Sequence, residues 1–206
     1  MTSSPPAGDG TLESMRLFVA VAPPDEALRE LGDVVDGLRA LPGADALRWT
    51  GPEQWHLTLA FLGEVAEDTL PDLRERLARA ARRHPPARLR LAGGGRFGDR
   101  VLWAGVTGHT PELGRLAASV NAAARHAGIA LDEERRFTAH LTLARNRGHT
   151  RLRPFAEPLA DFAGRDWTAR EIALIRSNLP APASAAPGAP GPRPRYQTLG
   201  TWPLGH

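Results

Sequence analysis

Apolar positions recur along this chain with two periods, one near two residues and one near 3.6, and their succession sketches an α+β protein. Residues 16–21 (RLFVAV), following Met15, are almost continuously apolar and stop at Pro23 and Pro24, which predicts a buried strand. Beyond Asp25, a residue type suited to capping, Leu28, Leu31, Val34, Val35 and Leu38 return at helical spacing until Pro42 and Gly43 break the pattern. Residues 47–50 and 56–63 (HLTLAFLG) read as strands. Residues 67–83 place Leu70, Leu73 and Leu77 on one face among many Arg and Glu, the signature of an amphipathic surface helix ended by His84 and two prolines.

The second half repeats the plan. Residues 88–92 and 101–106 read as paired strands around a glycine-rich turn at 93–98, and residues 111–127 as a helix with Leu113, Leu116, Val120 and alanines facing inward. A second HLTLA strand follows at 140–144, then strands at 167–177 and 196–202. Residues 180–194, rich in Pro, Ala and Gly, have no means of forming a core and predict a mobile loop. Residues 1–14 read as a flexible leader without the basic and apolar segments of a secretory signal, so residues 15–206 are expected to form one bilobal domain in the cytoplasm.

The pentapeptide HLTLA thus occurs twice, with His56 and His140 standing 84 positions apart. On an extended strand, side chains two apart share a face, so each copy sets an imidazole beside a hydroxyl and backs both with leucine. Two such strands brought together surround one cleft with His56, Thr58, His140 and Thr142. The spacing argues for an internal duplication, and the repeat is too long and too few for a solenoid. Strict alternation sends Trp55 and Phe61 to the leucine face. It sends Arg145, which closes the second copy, away from His140, so a site role for Arg145 requires the strand to bulge, to end, or to let the side chain curl round.

Composition removes several classes of chemistry. There is no cysteine, which excludes thiolate nucleophiles, disulfide scaffolds and Cys-based zinc sites. All 26 basic side chains are arginine, so Schiff-base enzymes, P-loop NTPases and nucleotidyl-lysine ligases lack their lysine. The net charge of +3 permits an anionic partner without demanding one, and arginine is the side chain best fitted to bidentate phosphate contact. No apolar run reaches the length of a bilayer span.

Metal-free cleavage of a phosphodiester needs a base for water, an acid for the departing oxygen, and donors for the phosphoryl oxygens. Histidine serves both proton-transfer roles near neutral pH, and threonine hydroxyls donate to phosphate. The two H-x-T-x strands, together with RLFVAVAPP, HLTLAFLG, FTAHLTLAR and YQTLGTWPL, resemble the LigT-like branch of the 2H phosphoesterase superfamily, the RNA 2′,3′-cyclic phosphodiesterases also called 2′-5′ RNA ligases. That resemblance spans about residues 15–204. It implies two pseudo-symmetric lobes, with mainly antiparallel sheets facing a central cleft and helices outside. It also implies opening of a 2′,3′-cyclic phosphate RNA end to a 2′-phosphate, with reversible 2′-5′ ligation, and no cofactor. By the same resemblance His56 is the general acid, His140 the general base, and Thr58, Thr142 and Arg145 bind phosphate. Phe61 and Tyr196 are further nucleotide contacts by type, with core packing or strand anchoring as their plainer roles.

Ala139 departs from the family pattern, which has proline before the second histidine. The expected partner is an RNA end, and a monomer is expected. Two other readings compete. A non-catalytic RNA-end-binding protein would need no pair of titrating groups, and two histidines without carboxylates make an incomplete metal shell. A small cyclic nucleotide is an alternative substrate of the same chemistry. Arg135 and Arg136 are cations suited to steering RNA.

Overall fold

The structure, a computed structural model, describes residues 14–132, 137–178 and 195–205. The predicted leader up to residue 13, the loop at 180–194, and Arg135 and Arg136 lie outside the described residues. In chain order the elements are β1 (Ser14–Val21), α1 (Asp25–Arg39), β2 (Leu47–Trp49), β3 (Leu57–Ala66), α2 (Leu70–Arg82), β4 (Ala87–Phe97), β5 (Val101–Gly108), α3 (Thr110–His126), β6 (His140–Asn146), α4 (Arg153–Ala156), β7 (Ala163–Ala169), β8 (Glu171–Asn178) and β9 (Arg195–Pro203).

The strands form two antiparallel sheets, ordered β3-β1-β8-β9 and β2-β6-β5-β4-β7, and the α+β class expected from periodicity is the one observed. The unit strand, helix, HLTLA strand occurs twice, as β1-α1-β3 and as β5-α3-β6. The helices tie the halves together. Helix α1 lies against β7 of the second sheet, where Glu30 accepts the Arg165 backbone N–H and pairs with its guanidinium at 2.7 Å. Helices α2 and α3 pack on each other and against β9 and β3 of the first sheet.

Strand β1 is buried on both faces, which is why its sequence is an unbroken apolar run. Leu17, Val19 and Val21 enter the main core, while Phe18 and Ala20 form a second small cluster with Ile175 on the opposite face. The helices bury the positions that periodicity selected: Leu31, Val35 and Leu38 in α1, Leu73 and Leu77 in α2, Leu113, Leu116 and Val120 in α3.

Three local expectations change. Residues 93–98 are not a turn: β4 runs through the glycines with a register shift, and the chain reverses at 98–100. Glycine is required there by close approach, since a Cβ on Gly94 would stand 2.8 Å from the Trp103 carbonyl oxygen and 2.6 Å from Leu159 Cβ. Residues 167–177 are not one strand but parts of two, β7 and β8, in different sheets. The burial alternation slips by one residue at Arg170 and Glu171, where the chain crosses over. Helix α4 went unpredicted because a single turn is too short to show a period. It buries Phe155 edge-on to Trp49 at a 6.2 Å centroid separation.

Candidate active site

The two HLTLA copies adopt the same irregular backbone. In β3, Thr58 pairs with Ala20 and Ala60 with Val19, leaving Leu59 unmatched. In β6, Thr142 pairs with Trp103 and Ala144 with Leu102, leaving Leu143 unmatched. Each copy therefore bulges by one residue at its second leucine, and the burial sequence that follows is the same in both. Leu59 and Ala60 are buried and Phe61 is exposed; Leu143 and Ala144 are buried and Arg145 is exposed. A one-residue insertion moves every later side chain to the other face. It brings Arg145 to the side of His140 and Thr142, and brings Phe61 to the side of His56 and Thr58. The bulge resolves the alternatives left open for Arg145, and it corrects the expectation that Phe61 packs with the leucines. Trp55, 3% exposed, is core as alternation predicts.

A bulge leaves a carbonyl outside the ladder, and a buried carbonyl needs a donor. Each is supplied from the other half of the chain. The Leu59 carbonyl accepts a hydrogen bond from Asn121 Nδ2 on α3 at 3.2 Å. The Leu143 carbonyl accepts the Thr50 backbone N–H at 2.9 Å, and Thr50 Oγ1 lies 2.7 Å and 2.9 Å from the carbonyls of Thr142 and Leu143. That same Oγ1 accepts the Trp55 indole N–H at 2.9 Å. Thr50 thus fastens the segment just before His56 to the strand that carries His140.

His56, Thr58, His140, Thr142 and Arg145 line one cavity of about 200 Å³, together with residues that include Arg48, Gln54 and Tyr196. A second cavity, of about 330 Å³, shares Thr58, Phe61, His140, Thr142 and Arg145 and continues past Phe97 to Asn121. All seven predicted site residues therefore border one cleft between the sheets. Sequence reasoning missed Arg48, Gln54, Phe97 and Asn121. Arg48 sits opposite Arg145 in the β2–β6 pair, and both arginines line the cavity that Thr58 and Thr142 line.

Both imidazoles are held by the same device. His140 Nδ1 donates to the Thr138 carbonyl at 2.7 Å, because a carbonyl only accepts, so in the neutral ring Nε2 is the basic nitrogen. His56 is hydrogen-bonded in the same way to the backbone of Gln54, also two residues upstream. Aromatic rings pack beside each. Phe18 stacks on His56 with centroids 4.6 Å apart and Tyr196 meets it edge-on at 5.3 Å; Phe97 meets His140 edge-on at 5.0 Å.

The two rings differ electrostatically. Burial beside Phe18 and Tyr196 drives the His56 pKa down to about 4, the Gln54 hydrogen bond opposes that fall, and the His140 charge adds to it. His56 is therefore neutral at pH 7 in the free protein. Burial also raises the Tyr196 pKa, against the pull of Arg145 and Arg16. Among the described residues no three His, Asp or Glu side chains gather as a metal-binding group, and no helix is long and apolar enough to cross a membrane.

A family model, LigT like Phosphoesterase, matches residues 21–103 and again residues 104–183, in step with the structural repeat. An RNA 2′,3′-cyclic phosphodiesterase of Thermus thermophilus is 33% identical over 172 residues, covering 80% of this chain and 83% of that protein. One from Archaeoglobus fulgidus is 39% identical over 64% of this chain and 72% of its own length. One from Geobacillus stearothermophilus is 33% identical over 76% of this chain, which spans about half (47%) of that relative. Among solved structures, E. coli LigT complexed with 3′-AMP superposes with a TM-score of 0.70 at 27% identity, covering 93% of this chain and 99% of that one.

Proposed function

Since this chain belongs to the LigT-like phosphoesterases, a 2H phosphoesterase family, we propose that it is an RNA 2′,3′-cyclic phosphodiesterase that opens the cyclic end to a 2′-phosphate. The observation that carries the reading is the convergence of both anchored imidazoles, both threonine hydroxyls and Arg145 on one cavity. In this scheme the cyclic phosphate sits where the two cavities meet. Thr58 and Thr142 donate to its non-bridging oxygens, and Arg145 balances its charge. His140 Nε2 takes a proton from water as the water oxygen bonds to phosphorus. The P–O3′ bond breaks, and His56 delivers a proton to O3′, so the products are a 2′-phosphate and a 3′-hydroxyl. A 5′-hydroxyl in place of water would give the 2′-5′ linkage.

His56 must carry a proton to act as the acid, although it is neutral in the empty site. The substrate resolves this. A phosphate anion about 4 Å from the ring, at an effective dielectric near 20, favours the protonated form by about 4 kcal/mol, which corresponds to about 3 pH units. That lifts a pKa of about 4 to near neutrality. Binding then recruits the proton that the chemistry uses. The low pKa of the free ring also favours a second assignment, with His56 as base and His140 as acid. An aryl phosphodiester, whose phenolate leaves without protonation, separates the two: the acid's alanine variant recovers activity on it and the base's variant does not.

The test of the reaction itself is incubation with an oligoribonucleotide ending in a 2′,3′-cyclic phosphate and identification of the product end. A 2′-phosphate is expected. No turnover overturns the proposal, and a 3′-phosphate overturns the choice of O3′ as leaving group.

A further inference from the structure

The larger cavity, about 330 Å³, carries features that phosphate chemistry does not use. Among the described residues two large apolar side chains are exposed, Phe61 at 53% and Phe97 at 41%, and both line this cavity, one from each sheet. Exposed aromatic rings flanking a cavity of small-ligand size form a stacking platform, and stacking on such a ring contributes about 1–3 kcal/mol per nucleobase. Local backbone features set both rings. The bulge at Leu59 turns Phe61 outward, and Phe97 ends β4 beside His140.

Asn121 gives the cavity a chemical polarity. Its Nδ2 donates to two carbonyls, Leu59 at 3.2 Å and Ala117 at 2.7 Å. Both partners are acceptors, so the amide cannot be flipped, and Oδ1 is turned away from them. Asn121, Asp132 and Thr138 are the polar side chains that this cavity adds to the smaller one; the Asn121 amide oxygen and the Asp132 carboxylate only accept, whereas the Thr138 hydroxyl serves either way. We infer that this cavity receives the base of the terminal nucleotide, stacked by Phe61 and Phe97, and that Asn121 and Asp132 select bases bearing an exocyclic amino group over uracil. Adenine, cytosine and guanine offer amino N–H donors to these acceptors. Uracil flanks its one ring N–H with two carbonyl oxygens, which face the acceptors unfavourably.

The inference rests on the nucleotide reading of the site, and binding tests it independently of turnover. Dissociation constants are measured for the 2′-monophosphates of adenosine, cytidine, guanosine and uridine with the full-length protein. Uridine is expected to bind about tenfold more weakly than the other three, a factor typical of one mismatched hydrogen bond to a charged or buried partner. Phe97→Ala weakens all four by about tenfold and preserves their order. Asp132→Asn, a rim substitution that supplies a donor, narrows the gap for uridine. Equal affinity of the wild type for all four nucleotides overturns the inference even where cyclic-phosphate ends are hydrolysed. Base-selective binding without hydrolysis overturns the proposed reaction and leaves the base pocket standing.

Discussion

Replacing His56 with glutamine removes one titrating ring while keeping a polar side chain of similar reach, and the structure sets the size of the consequence. A free imidazole titrates near 6.5; burial beside Phe18 and Tyr196 lowers the His56 pKa to about 4. Between these two values the unfolded chain holds a proton that the folded site refuses, so stability falls as pH falls through this window. At roughly 1.4 kcal/mol per pH unit the gap amounts to about 3 kcal/mol, an upper figure because the ring borders an open cleft. Denaturant unfolding of wild type and His56→Gln at pH 7, 6, 5 and 4 measures it. Relative to the variant, the wild type is expected to lose about 2–3 kcal/mol between pH 7 and pH 4, and none between pH 8 and pH 7. Inorganic phosphate reverses part of the loss by favouring the protonated ring. Parallel stability profiles for the two proteins, or an NMR titration of His56 near 6.5 without ligand, would refute both the burial argument and the idea that substrate recruits the acid's proton.

The remaining predictions concern the bulged strands and their partners. Thr50→Val leaves the Trp55 indole N–H without its acceptor and removes the hydroxyl from the Thr142 and Leu143 carbonyls; a stability loss of about 1–3 kcal/mol is expected in urea. Activity should fall with it, because Thr50 holds the two histidine-bearing segments in register. Arg145→Ala removes a cation that the bulge directs at the phosphate, and kcat/KM on cyclic-phosphate RNA should drop about 10- to 100-fold, in keeping with about 1.5–3 kcal/mol for a charge-assisted hydrogen bond. Prolonged EDTA treatment should leave the rate unchanged, and a loss restored by a divalent cation would contradict proton transfer by histidines alone.

Much of this site was legible in the sequence, and the residues that were not share a cause. The period-two arrangement of His56 with Thr58, and of His140 with Thr142, is a local property, so the strand face could be read before the fold was known. The bulge is not local. Leu59 and Leu143 leave the ladder where Asn121 and Thr50 satisfy their carbonyls, and those donors come from distant parts of the chain. Alternation alone therefore misplaced Phe61 and left Arg145 open. Arg48 and Gln54 lie in a short strand and a single 3-10 turn, too brief for any period to mark them. Asn121 did carry a signal, a lone amide within the run Val120-Asn-Ala-Ala-Ala of an otherwise apolar inner face. The strand predicted over 167–177 failed for a related reason. A one-residue slip at Arg170 passes unnoticed in a window that alternates well on either side, and that slip moves the chain from one sheet to the other.

The central claim is that His56 and His140 act as one proton-transfer unit across a single cleft. The most direct measurement is the single-turnover rate on a 2′,3′-cyclic phosphate oligoribonucleotide for wild type, His56→Ala, His140→Ala and the double variant. Each single variant is expected to lose at least about 100-fold, and the double variant little more than the slower single, as for residues that work together. Near-wild-type rates in either single variant, or losses that multiply in the double variant, would contradict it.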